Sequence, residues 1–314
     1  MLQGIFGISS RRPLDFVAIG DITTDAFIRL QDAHINCTVN SSQCELCMRF
    51  GDKVPFESVH VVTAVGNSPN AAVAAARIGL RSALITNIGS DRNGADCLAE
   101  LKKNGVSTAY VTTEQNKLTN FHYVLWYDVD RTILVHHEEY TYHLPKAFKK
   151  STPPRWIYLS SMGASSYEYH AEIAAYLKQH PQVKLAFQPG TYQMKFGIEK
   201  LREIYAATEV FIANVEEVQR ILGHEEKGSS ATSDAWNGEI KSLLSAIHAL
   251  GPRIVLITDG PKGAYMYDGD RTYFMPIYPD PKTPYERTGC GDAFASTFVS
   301  ALILGHTPLE ALTW

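Results

Sequence analysis

Short apolar runs alternate with longer stretches of helical spacing along most of this 314-residue chain. The runs at 16–20 (FVAIG), 82–89 (SALITNIG), 155–160 (RWIYLS), 183–189 (VKLAFQP), 208–214 (TEVFIAN) and 253–260 (RIVLITDG) are too short for independent helices. Several are apolar throughout, as strands buried on both faces must be. Between them, helical spacing covers 68–79, 93–104, 166–180, 197–206, 215–223 and 236–250. The alternation predicts an α/β fold with a central, mainly parallel sheet and helices on both faces.

Two regions break the rhythm. Residues 26–65 hold no good helix, and 118–137 read as two extended runs, TNFHYVLWY and RTILVHHE, joined at Asp128-Val129-Asp130. Alternating polar and apolar positions around a tight acidic turn predict antiparallel hairpins. Together these segments are expected to form a small β lid on one edge of the α/β body, the whole of 1–314 being one domain. The polar stretch 224–233 (HEEKGSSATS) reads as a loop.

Composition narrows the classes of function. Lysine and arginine number 29 against 33 acidic residues, a net charge of −4, which argues against a general nucleic-acid binder. The longest charge-free apolar stretch, 293–309, is interrupted by Ser296, Thr297, Ser300, Gly305, His306 and Pro308, so it reads as a buried helix and not a membrane span. The first sixteen residues lack a signal peptide's basic-then-apolar order. Five cysteines are too few and too odd in number for a disulfide scaffold, and a reducing, cytoplasmic home is the expectation.

The candidate chemistry lies in four segments. In 286–305 (ERTGCGDAFASTFVSALILG), Gly289, Cys290 and Gly291 precede an apolar helical pattern. A glycine-flanked turn opening a helix leaves backbone N–H groups aimed outward, a site for an anion. Asp292, in the first turn, is placed to take a proton from a hydroxyl; equally, it is a plain helix-start acid with the glycines only making the turn. The segment 66–80 (GNSPNAAVAAARIGL) opens with Gly66, Asn67 and Asn70 and continues as an alanine-rich helix. In 214–223 (NVEEVQRILG), Asn214 and Glu217 have the spacing of a capping box and equally offer an amide and a carboxylate to a hydrated divalent cation. The run 256–268 (LITDGPKGAYMYD) brings Thr258, Gly260 and Gly263 after a buried strand, where a hydroxyl and bare backbone can meet phosphates. Neither a dinucleotide fingerprint nor a P-loop is present.

These segments, in this order, resemble the ribokinase-like (PfkB) family of sugar and nucleoside kinases from about residue 15 to the end. TGCGDAF (288–294) matches the second signature, with Cys290 where alanine is usual; GNSPNAAVAAARIG followed by NIGSDRNG (87–94) matches the first; GDITTD (20–25) looks like the end of the first strand. The resemblance implies a ribokinase-like three-layer sandwich and ATP-dependent phosphoryl transfer to a sugar hydroxyl. Asp292 would be the base, and Gly289, Cys290 and Gly291 the anion hole. Asn214 and Glu217 would position Mg2+, largely through water, while Thr258, Gly260 and Gly263 would contact the nucleotide. Asp25, Gly66, Asn67 and Asn70 would hold the acceptor. A nucleoside kinase, or a non-catalytic sugar- or nucleotide-binding relative, stays open on the same scaffold. The sequence departs from the family at Val65, where a first glycine is usual, at Gln188, in FQPG where an Asp often stands, and at Glu286-Arg287, which replace Asp-Thr. That last change leaves a monovalent cation open. The chain stops 22 residues after Asp292, where the family continues with a helix closing the adenine pocket, and so reads as shortened.

Three features fall outside this scheme. Cys44-x-x-Cys47 with Cys37 and His34 offers half a zinc site, a dithiol or simple lid packing. Arg131, past the hairpin turn, and Lys53 are the loose cationic candidates for a charged acceptor. An exposed lid edge invites pairing, so a homodimer through the lid is expected.

Overall fold

The computed structural model describes residues 12–37, 44–128, 130–223, 238–279 and 288–314. The loop expected at 224–233, the start of the 236–250 helix, the N-terminal segment and the Glu286-Arg287 pair lie outside the described residues.

The chain opens with β1 (Phe16–Ile19), then leaves the body through β2 (Thr23–Leu30), β3 (His34–Cys37), β4 (Cys44–Cys47) and β5 (Phe56–Val65). It returns through α1 (Asn67–Arg77), β6 (Ser82–Gly89), α2 (Arg92–Lys103) and β7 (Ser107–Glu114). A second excursion, β8 (Asn120–Tyr127) and β9 (Asp130–His136), precedes α3 (Lys146–Lys149) and β10 (Trp156–Leu159). The body continues as α4 (Tyr167–Gln179), β11 (Lys184–Phe187), α5 (Thr191–Phe196), α6 (Arg202–Ala207), β12 (Thr208–Asn214), α7 (Val215–Ile221) and α8 (Glu239–His248). It closes with β13 (Ile254–Thr258), β14 (Ala264–Tyr267), β15 (Thr272–Met275), α9 (Cys290–Leu304) and α10 (Pro308–Leu312).

The main sheet has the order β15-β14-β13-β12-β11-β10-β1-β6-β7, and only β14 and β15 run antiparallel to their neighbours. Its apolar strands feed two cores by strict alternation. Val17, Ile19, Ile157, Leu159 and Phe187 pack with Ile173, Ile204, Val218 and Leu243 on one side. Phe16, Ala18, Tyr158, Ala186 and Leu256 pack with Ala71, Leu101, Phe298 and Leu312 on the other. Each buried Phe or Leu contributes roughly 1.5–3 kcal/mol. The chain order reverses at β1, which pairs with both β6 and β10. Ligands bind outside the carboxyl ends of strands at such a switch point.

The lid is a four-stranded sheet, β5-β2-β8-β9, with a separate β3–β4 hairpin. It begins at Thr23, a turn earlier than the pattern predicts, because β2 runs straight out of the loop after β1. The strands on either side of the expected acidic turn, β8 and β9, pair antiparallel, and Asp128 lies in the left-handed region (φ 55°), while Val129 lies outside the described residues. Three expectations need correction. The helix expected at 197–206 is confined to α6, from Arg202, and α5 (Thr191–Phe196), which was not anticipated, precedes it and ends at Gly197, whose φ is 82°. The strands β7, β14 and β15 were not anticipated; β7 and β15, the two edges, are only partly buried and lack the unbroken apolar run of the central strands, while β14, one in from the edge, is mostly buried. Cys37 forms a disulfide with Cys44, its cross-strand partner in the β3–β4 register, while Cys47 is free. No group of three or more His, Cys, Asp or Glu among the described residues could hold a metal ion, so the zinc reading of these cysteines is set aside.

Candidate active site

Asp292 sits in the first turn of α9, behind a left-handed Gly289 (φ 81°) that carries no capping side chain. The first ladder bond runs from Ala293 N to Gly289 O, so the amides of Cys290, Gly291 and Asp292 precede the ladder. A Cβ built on Gly291 would meet nothing within 4 Å, so the turn faces open space. The three-residue turn expected to cradle an anion therefore stands ahead of the helical ladder and is open at Gly291.

Three amide groups converge on the carboxylate. Asn67 Nδ2 donates to Oδ1 at 2.8 Å, Gln188 Nε2 donates to Oδ1 at 3.1 Å, and Asn70 Nδ2 donates to Oδ2 at 2.9 Å. The donors come from far apart in the chain. Buried Ala71, Ala72 and Ala75 let α1 lie close against the sheet beside α9, which carries Asn67 and Asn70 to Asp292. Gln188 follows β11, and its Oε1 accepts from Tyr158 Oη at 2.5 Å. Burial, and secondarily the charge of Asp292, push the Tyr158 phenol well above its ordinary pKa, so it remains a donor. A carboxylate has about four acceptor positions. Two donors fill Oδ1 and one reaches Oδ2, which leaves a lone pair on Oδ2 for an incoming hydroxyl. Asn67 and Asn70 thus turn an amide hydrogen each to the candidate base, a use that acceptor binding alone does not predict.

Around this centre, the carboxyl ends of neighbouring strands supply the remaining groups. Asn214 and Thr258 are register partners at the ends of β12 and β13. Asn214 and Glu217 form a reciprocal capping box: Glu217 N donates to Asn214 Oδ1 at 2.8 Å, and Asn214 N donates to Glu217 Oε2 at 2.9 Å. The capping reading of these two residues is therefore realised. Burial raises the Glu217 pKa above the usual carboxylate value, against the backbone hydrogen bond from Asn214, with the Asp292 and Glu216 charges adding to it. A buried acid whose charge is disfavoured in this way fits a nearby divalent cation. Two side chains make no all-protein cage, so phosphate oxygens and water would complete the coordination. Gly260 has open space around it, and Gly263 (φ 100°) has Met275 O against its Cβ position, so only glycine fits there.

The residues expected to hold an acceptor lie where the lid meets the body. Gly66, at φ 119°, permits the backbone of Asp21 to come within 3.0 Å of where its Cβ would stand. Tyr142 Oη donates to Asp21 at 2.8 Å, and Gly163 N donates to Tyr142 Oη at 3.2 Å. Asp25, on β2, has His122 Nδ1 of β8 at 3.3 Å. His137 Nδ1 stands 3.5 Å from Asp21 Oδ2. Sequence reading passed over Asp21, His122, Tyr142 and Tyr158, and weighed Gln188 only as a departure. Alternation along β8 does not tell which side chains His122 meets; its partner Asp25 comes from a pairing nearly a hundred residues away.

The sequence pattern of the pfkB family carbohydrate kinases matches residues 34–313. The chain belongs to the pfkB family of carbohydrate kinases. Members of that family are phosphotransferases with an alcohol group as acceptor. This pfkB chain is 31% identical over 131 residues to a cytidine kinase of Thermococcus kodakarensis, a match spanning 41% of the chain and 42% of that enzyme. It is 23% identical over 267 residues to an ATP-dependent 6-phosphofructokinase of Thermoanaerobacterium thermosaccharolyticum, covering 79% of the chain and 75% of the enzyme. In structure it is similar to Arabidopsis thaliana ribokinase complexed with ribose and ATP, with a TM-score of 0.74 and 18% identity over 96% of this chain and 89% of that one. The ribokinase fold and the lid expected from the sequence are both present.

Proposed function

We propose that the protein transfers the γ-phosphoryl group of ATP to a hydroxyl of a sugar-like acceptor. The observation that carries this is the Asp292 carboxylate, held by three neutral amides beside an open, uncapped helix start. Asp25 and the Gly66 turn hold the acceptor under the lid, with the reacting hydroxyl at Asp292 Oδ2. The proton passes to Oδ2 as the hydroxyl oxygen bonds to phosphorus and the bond to the ADP oxygen breaks. Amides of Gly289, Cys290 and Gly291 take up charge on the transferring group, an oriented, dry arrangement that stabilises it far better than water. Asn214, Glu217, Thr258, Gly260 and Gly263 hold the nucleotide end. Mg2+, bound near Asn214 and Glu217 largely through water, would supply charge neutralisation for the phosphates. Lid closure excludes water, which would otherwise accept the phosphoryl group. The reading takes 1–314 as one α/β unit with its lid, acting in the cytoplasm as a homodimer through that lid.

A nucleoside acceptor on the same scaffold is the second reading, favoured by the likeness to a cytidine kinase over 131 residues. Incubation with Mg-ATP and, separately, ribose, fructose, adenosine and cytidine separates the two. The proposal expects acceptor-dependent ADP release with a phosphorylated sugar as product. Phosphorylated nucleoside alone would move the acceptor to the second reading, and ADP release indifferent to every acceptor would refute transfer.

A further inference from the structure

Three buried polar atoms without a hydrogen-bond partner gather in one place under the lid: Asp25 Oδ1, His122 Nε2 and His137 Nδ1. Folded proteins rarely leave such atoms unmet, and an orphaned cluster calls for a ligand or water. His122 and Asp25 are register neighbours on β8 and β2, so their side chains share one lid face. Their 3.3 Å contact does not have hydrogen-bond geometry. His137 follows directly on β9; its ring lies 5.2 Å from the His122 ring and 5.9 Å from that of Tyr192. Tyr192 belongs to α5, which begins just after the loop carrying Gln188 to Asp292. Asp21 abuts Gly66, the residue before Asn67, which also holds Asp292. The cluster therefore borders the candidate catalytic centre from the lid side and from the body side.

Its charge is distinctive. Asp21 and Asp25 are met by a phenol and two imidazoles. Hydroxyl groups suit such a site, since carboxylates accept from them and imidazole nitrogens can donate or accept. A phosphate does not, because it needs cationic, preferably bidentate, donors and would face two carboxylates. The cationic lid residue singled out from the sequence, Arg131, pairs across the sheet with Trp126, four positions along β8 from His122 and next to the hairpin turn.

We infer that His122 and His137 are acceptor-binding residues which the lid carries over Asp21 and Asp25, and that this cluster selects an unphosphorylated polyol over a sugar phosphate. The inference rests on the kinase reading for the place of the acceptor, and its test is a binding measurement independent of turnover. Calorimetric titration of the full chain with ribose, fructose, cytidine and fructose 6-phosphate is the experiment. At least one unphosphorylated probe should bind and fructose 6-phosphate should not. His122→Asn and His137→Asn should each weaken binding of that probe tenfold or more, with ATP affinity unchanged and circular dichroism as in wild type. His122→Gln and His137→Gln, which restore reach to an amide, should recover part of the loss; a merely structural role would not give that pattern. Tighter binding of fructose 6-phosphate than of fructose, failure of all three unphosphorylated probes, or unchanged affinity in both Asn variants would overturn the inference. Binding that follows this pattern without any ADP release would refute the kinase reading and leave the inference standing.

Discussion

Neutral amides are an economical way to hold a carboxylate that must still receive a proton. Asn67, Asn70 and Gln188 orient Asp292 without adding a competing charge. Each donates only while its amide nitrogen, and not its oxygen, faces the carboxylate, and for Gln188 a further contact fixes that choice. That contact is with Tyr158: its hydroxyl donates to Oε1 and so keeps Nε2 on Asp292. Tyr158→Phe should lower kcat about tenfold, the ~1.4 kcal/mol of one neutral hydrogen bond, with the KM for ATP unchanged. Steady-state kinetics decide it, and an unaltered kcat would remove Tyr158 as a positioning residue. At this scale the sequence reveals only what is local. Asp292 and its glycines stand next to one another, so the run 289–292 is legible. The Tyr158–Gln188–Asp292 chain joins residues 30 and 104 positions apart, and no local spacing announces it.

Helix starts carry much of the site, and their capping chemistry overlaps with ligand chemistry. Asn214 and Glu217 show the overlap: the atoms that cap α7 belong to the residues proposed to position Mg2+. Glu217→Gln separates the two roles, since a glutamine Oε1 still accepts from Asn214 N but carries no charge. The raised pKa means the folded state prefers the protonated acid, so ionised Glu217 lowers stability as pH rises through the interval from its unfolded value to its raised folded value. The Gln variant should therefore match or exceed the wild-type Tm at pH 7, and this advantage should vanish at pH below the unfolded value. Its Mg2+ half-saturation for turnover should rise at least tenfold. Thermal melts at two pH values and a Mg2+ titration check both; a large fall in Tm at pH 7 with unchanged Mg2+ demand would leave only the cap. Elements with an apolar run of four residues, such as β1 and β13, were legible because both faces are buried. The edge strands β7 and β15 were not, since partial exposure erases that signal.

At the scale of the molecule, the body and the lid divide the labour. The body places strand ends at the switch beside β1, and the lid presents two faces of different character. One face carries Asp25 and His122, toward the proposed acceptor site. The other carries a register row of Val61, Ala26, Tyr123 and Leu134 across all four strands, and Val61, Tyr123 and Leu134 are each about half exposed. Such an apolar row is the surface that the proposed homodimer would cover. Sedimentation velocity at micromolar concentration should find a dimer, and Val61→Asp with Leu134→Asp should return it to a monomer with its fold intact. A wild-type monomer across that range would contradict the dimer. The existence of the lid was legible from the loss of helical period at 26–65 and 118–137, while the roles of its two faces depend on the β2–β8 pairing that only the fold supplies.

The most direct measurement is the rate of acceptor-dependent ADP release by Asp292→Asn, taken together with its affinity for ATP by calorimetry. The account predicts a loss of roughly 10²–10⁴-fold in rate, the range expected when a general base is removed, with nucleotide affinity essentially that of the wild type. Turnover close to wild type in that variant would contradict it.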